Sequence, residues 1–177
     1  MSIKKIGIVI YGVCKNRSGF WEAWTDKAKE LICMIGYPPT HAGISGTSLS
    51  ENLRTLQRSE RKMRTVIANG EPVCSLSIYS LPKNYHTALD SNCWLCINDQ
   101  TWNRYSKFAY CEMNLEESSE ELIERIKSAL LDFIEMEQCE IFTMDKSQVP
   151  FNYVIKGQGN DVSKYPTLDI LLRTDRK

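Results

Sequence analysis

The chain has 177 residues, a length at which one domain buries roughly 70% of the surface its unfolded chain exposes, so neither disulfides nor a metal is needed for stability. Hydrophobic residues make up 42% and charged residues 25%, and no apolar run approaches the ~20 residues of a membrane-spanning helix. The formal net charge is zero, yet residues 1–70 carry 11 Lys and Arg against 5 Asp and Glu while residues 71–177 carry 11 against 17, so the two halves are electrically opposite.

The first residues, Met1 to Ile10, place two lysines before an apolar run too short for a signal peptide and without a cleavage site after it; Lys5 to Val13, rich in Ile and Val, reads as a strand buried on both faces. Ser18 offers a cap for a helix whose apolar face is Phe20, Trp21, Trp24, Ala28, Leu31, Ile32 and Ile35, ended by Gly36 and Pro38-Pro39. Thr40 to Ser50, rich in Gly, Ser and Thr, reads as a loop. A second helix is expected from Ser48 or Ser50, carrying Leu53, Leu56, Met63, Val66 and Ile67 and stopping at Asn69-Gly70. Val73–Leu81, Cys93–Asn98 and Lys107–Met113 then alternate as three short strands of an antiparallel meander. Ser118 with Glu121 forms a capping box for a third helix with the stripe Leu122, Ile126, Ala129, Leu130, Phe133 and Ile134. Glu140–Thr143, Phe151–Ile155 and Leu168–Leu172 are expected strands. The order βααβββαβ predicts a single α+β domain over 1–177, with helices packed on one face of a largely antiparallel sheet.

Seven cysteines, at 14, 33, 74, 93, 96, 111 and 139, form an odd set in apolar segments, which suits reduced thiols in a cytoplasmic protein. Cys93 and Cys96 have the spacing of a zinc or redox pair, but side chains three apart on a strand face opposite ways and no second pair exists, so neither metal nor cofactor is expected. Gly43 to Ser48 has the composition of an anion-binding loop, yet lacks the lysine and preceding strand of a phosphate cradle and reads as a capping loop. His41 and His86 are the only neutral-pH bases, and nothing in the sequence sets either beside a nucleophile.

Charge and aromatic patterning carry the remaining signal. Arg54, Arg58, Arg61, Lys62 and Arg64 make the second helix basic, a pattern that tracks nucleic acid in some proteins; Glu51 and Glu60 on the same helix and the neutral total argue against that use. Residues 112–140 hold ten carboxylates against Arg125 and Lys127, with Glu117, Glu120, Glu121 and Glu124 placed to meet a basic partner. Trp102 and Tyr105, in a turn-rich segment beside Asn and Arg, have the composition of an interface centre.

The opening Ile6-Gly7-Ile8-Val9-Ile10-Tyr11-Gly12, the Gly19-Phe20-Trp21-Glu22-Ala23-Trp24 segment, the meander with Cys93-Trp94-Leu95-Cys96-Ile97 and the acidic late helix form an arrangement, over most of the chain, that resembles the immunity proteins of bacterial polymorphic toxin systems, including those accompanying type VI secretion effectors. The resemblance implies a non-enzymatic protein that binds a cognate toxin in the producer's cytoplasm and covers its active site, a nuclease effector with a basic cleft being the best electrostatic match. Two other readings remain: a small enzyme with a site assembled from loops, or a nucleic-acid-binding module using the basic helix 51–64.

Overall fold

A computed structural model describes residues 3–46, 52–100, 107–155 and 161–176. The chain opens on β1 (Lys4–Cys14), whose Ile and Val residues suit a strand with apolar material on both sides. Ile6, Ile8 and Ile10 point to one face, while Val9 and Tyr11 point to the other. The strand pairs on both edges, Ile8 standing opposite Cys111 on β6 (Phe108–Asn114) and Ile141 on β7 (Ile134–Asp145). With β2 (His41–Gly46), β3 (Arg54–Thr55), β4 (Val73–Ser80), β5 (Cys93–Asn98) and β8 (Asp169–Asp175) it completes an antiparallel sheet ordered β3-β2-β4-β5-β6-β1-β7-β8. The fold is α+β with a sheet whose described pairings are all antiparallel, as the sequence predicts.

Three helices cover one face. α1 (Phe20–Ile35) buries Phe20, Trp24, Ala28, Leu31, Ile32 and Ile35. It ends as a glycine-terminated helix should: Gly36 sits at φ 107, its N–H donating to the Cys33 carbonyl at 3.0 Å, and the Tyr37 N–H donates to Ile32 at 3.2 Å. α2 (Leu56–Ala68) lies over β2 and β4 and buries Met63 and Val66. α3 (Glu120–Leu131) lies over β1 and β7 and buries Ile126 and Leu130. The polar faces of all three are thereby left to solvent.

Several expectations fail for identifiable reasons. Gly43–Gly46 is not a loop but part of β2, because Gly43 and Ser45 stand opposite Ser77 and Ser75 of β4; small residues on both strands make a pair that single-strand propensity undervalues. The second helix therefore starts later, with Thr55 at its N-cap, and Leu53 precedes it; Ser48 and Ser50 lie outside the described residues. The first helix is entered through Gly19 at φ 73, not through a Ser18 cap. On α3 the cap is Ser119, whose hydroxyl accepts from the Leu122 N–H at 3.2 Å, while the Ser118 hydroxyl donates to Leu115. Phe133 and Ile134 lie beyond α3, Ile134 opening β7. Phe151–Ile155 is not a strand: Pro150 opens a short helix, α4 (Pro150–Val154), after a left-handed Val149. α4 packs Tyr153 and Val154 on the second face of the sheet, so the helices are not confined to one side.

Candidate functional surfaces and an aromatic pocket

The helical layer is electrically polarised. α2, at the β3–β2 end, exposes Arg58, Arg61 and Arg64, with Arg54 exposed on β3; among the described residues none of these four forms an ion pair. Glu60 turns its charge inward to Lys29 at 2.9 Å. α3, toward the β7–β8 end, exposes Glu120, Glu121 and Glu124. Arg125 bonds Glu121 at 2.7 Å and Lys127 bonds Glu124 at 2.6 Å, pairs one turn apart that neutralise part of the field. Glu120 has no such cation among the described residues, and sits in the first turn where the helix dipole favours it.

Glu117 does not belong to that rim. It ends a 3₁₀ turn, Leu115–Glu117, is half-buried, and accepts hydrogen bonds from the Tyr37 hydroxyl and, at 3.0 Å, from Asn114 Nδ2. The hydrogen bond to a carboxylate holds the Tyr37 proton, lifting its pKa to about 12. Glu117 thus ties α1 to the β6–α3 connection. Trp102 and Tyr105 lie outside the described residues; the flanks of their segment are fastened by Lys107 Nζ to Asp99 at 3.0 Å and by Asn98 Nδ2 to the Gln100 carbonyl at 2.7 Å.

Cys14, Cys93, Cys96, Cys111 and Cys139 are buried packing groups, whereas Cys33 is exposed. Cys93 belongs to the core under the helices and Cys96 to the core on the opposite face, so the two do not converge. Burial raises the Cys93 thiol to about 12 and Cys139 to about 11, and pushes Cys14 and Cys111 up as well, which removes thiolate at neutral pH. His41 lies on β2, not in a loop; its Nδ1 meets Thr40 Oγ1 at 3.0 Å and its Nε2 meets the Tyr85 hydroxyl at 3.2 Å, and burial lowers its pKa. No group of three or more His, Cys, Asp or Glu among the described residues could hold a metal ion, and no described helix is long and apolar enough to cross a membrane.

Among the described residues, three charged residues are buried on the second face: Glu140, paired with Arg173 at 2.7 Å, and the facing groups Lys5 and Glu112. Lys5, 1% exposed, donates from Nζ to the carbonyls of Ser91 at 3.0 Å and Asn92 at 2.8 Å. Glu112 accepts from the Tyr110 hydroxyl at 2.8 Å. Burial drives the two pKa values toward each other, lowering Lys5 and raising Glu112, while each charge partly restrains the other's shift. A carboxyl with a raised folded pKa stabilises fully below its unfolded pKa and loses that contribution as pH rises through the folded one. Relative to wild type, Glu112→Gln should therefore gain stability as pH is raised from the ordinary carboxyl value of 4.5. Urea midpoints measured from about pH 4.5 to about pH 7.5 check this, and parallel profiles for the two proteins would reject it.

The same face carries a cavity of about 280 Å³. Its lining comes from neighbouring strands at two side-chain-poor positions, Gly43 and Ser77, which the β2–β4 register sets side by side. Tyr79 and Trp94 stack beside them at 5.2 Å and 12°, and Phe151 of α4 meets Trp94 edge-on at 4.8 Å and 74°. Leu53, Ala88 and Leu89 complete the lining.

Comparison of the chain with models of known protein families, with curated proteins and with solved structures returns no match. Local geometry and chemistry therefore carry the functional argument.

Sequence reading locates α3 and α2 as charged surfaces but misses the cavity. Its residues come from 43, 53, 77–79, 88–94 and 151, and only the strand register and the helical state of 150–154 bring them together. A signal was present: Gly43, Ser75 and Ser77 are small residues at alternating positions of otherwise apolar strands, which marks a depression on one sheet face.

Proposed function

We propose that this is a non-enzymatic binding protein that neutralises a cognate bacterial toxin, a nuclease effector by charge, as immunity proteins of polymorphic toxin systems do. The observation that supports the reading is the exposed acidic rim of α3, with Glu120, Glu121 and Glu124 outward while Ile126 and Leu130 are held in the core. A rigid rim of one sign steers a partner of the opposite sign and raises the rate of productive encounter.

Reversal of Glu120, Glu121 and Glu124 to lysine changes the local charge by six units without touching the buried stripe. Association with the proposed cognate toxin should slow by at least about tenfold at low salt, and the salt dependence should shrink, since rim charges act over roughly a Debye length. Glu120→Lys alone should have the largest single effect, because Glu121 and Glu124 are already paired on the helix. Stopped-flow rates at two ionic strengths, with protection in co-expression, make the test; equal rates and equal protection for wild type and triple variant reject this docking surface. Glu117→Gln should leave the association rate unchanged, because that carboxylate holds Tyr37 and Asn114.

The unpaired cations of α2 and β3 favour a second reading, in which Arg54, Arg58 and Arg61 follow a nucleic-acid backbone. Binding that weakens steeply with salt and is lost when all three become glutamate would favour it.

A further inference from the structure

We propose that the cavity on the second face of the sheet is a binding site for a neutral, planar aromatic group with one hydrogen-bonding edge, of the size of an indole. The inference does not depend on the toxin-binding reading.

Three observations carry it. Among the described residues the lining has no ionisable carboxylate or amine: Gly43, Leu53, Ser77, Ala88, Leu89 and Phe151 are uncharged, as is the Tyr79–Trp94 pair. A charged ligand would lose its hydration without a counter-charge, at a cost that selects against it. Next, size and shape match the chemistry. A cavity of about 150 Å³ is enough for a benzene ring, so 280 Å³ admits a two-ring system. The walls offer ring faces from the stacked Tyr79–Trp94 pair and from Phe151 roughly perpendicular to Trp94, so an entering ring finds both offset-stacked and edge-to-face partners. Edge-on contacts with Tyr110 at 5.2 Å and with Phe151 at 4.8 Å hold the Trp94 ring in place.

The third observation is Ser77. It is 1% exposed and lines the cavity, and its hydroxyl has no hydrogen-bond partner among the described residues, although the neighbouring Ser75 and Ser45 hydroxyls bond each other at 2.5 Å. A hydroxyl that faces the cavity offers a ligand N–H or O–H a hydrogen-bond partner there. Ser77 therefore gives the apolar cavity a single polar point that orients what enters it.

The test uses the intact chain, ¹⁵N-labelled, titrated with indole and with indene, its isostere lacking the N–H. Shifts of the Trp94 Nε1–H and of the Ala88 and Leu89 amides report occupancy. Indole should saturate with a dissociation constant on the order of 0.1–1 mM, as expected for a fragment of nine heavy atoms, and bind about fivefold to tenfold more tightly than indene. Ser77→Ala should abolish that preference while leaving indene affinity unchanged. Ala88→Trp, which fills the cavity from its rim and keeps the strands intact, should abolish both. Indole-3-acetate, carrying a charge, should bind more weakly than indole. N-acetyl-L-tryptophanamide binding at least as well as indole assigns the site to a side chain of another polypeptide, whereas binding by indole alone assigns it to a free aromatic molecule. No saturable shift at these signals, equal affinities for indole and indene, or unchanged indole binding in a folded Ala88→Trp protein would overturn the proposal.

Discussion

Trp24→Ala should lower the free energy of unfolding by about 3–5 kcal/mol, a large share of the 5–15 kcal/mol that holds an ordinary domain together. Trp24 lies at the middle of the α1 stripe with no exposed surface. Its ring meets Phe133 edge-on at 5.3 Å and 79°, joining α1 to the turn that follows α3. Its indole N–H donates to the Leu76 carbonyl of β4 at 3.1 Å, so one side chain fastens α1 to both neighbours. Alanine leaves a cavity the size of the lost ring and removes the hydrogen bond from α1 to the Leu76 carbonyl. Trp24→Phe separates the two contributions: it keeps a ring in place and removes the hydrogen bond, for an expected cost of about 1–3 kcal/mol. Urea unfolding with unchanged m-values is the measurement. A cost below about 1 kcal/mol for the alanine variant would mean that α1 is not anchored through this residue.

Gly12→Ala should cost about 3 kcal/mol or prevent folding, and more than Gly7→Ala. Gly12 sits where the β1–β7 register slips, Tyr11 standing opposite Gln138 and Gly12 opposite Met136. A methyl group there would overlap the Glu135 carbonyl oxygen and crowd the backbone of Glu137. Those are main-chain atoms of the adjoining strand, so no rotamer change relieves the overlap; β1 and β7 must separate. At Gly7 the added carbon meets the Phe142 ring, a side chain that can yield partway, which predicts the smaller loss. Thermal and urea unfolding of the two variants give the order, and a Gly12→Ala protein as stable as Gly7→Ala would show that β7 adjusts its bulge freely.

The sequence by itself determined the α+β class, the opening strand β1, the limits of β5 at Cys93–Asn98, the end of α1 at Gly36 and the end of α2 at Asn69. These features rest on local rules: β-branched runs, a 3.6-residue apolar period, and a glycine able to take positive φ. It also located the acidic and basic stretches, since charge needs no fold to be counted. Tertiary structure decided the rest. β2 exists because Gly43 and Ser45 find Ser77 and Ser75 across a ladder, a partnership between distant segments that no local window contains. Residues 150–154 become helical where apolar Tyr153 and Val154 must cover the second face of the sheet. Glu117 is drawn inward by Tyr37, just past the end of α1 and eighty residues earlier, while Glu120 a turn later stays in solvent. The cavity has the same origin. Its described walls come from five separate segments, and only closure of the sheet and docking of α4 place Tyr79, Trp94 and Phe151 around the Ser77 position.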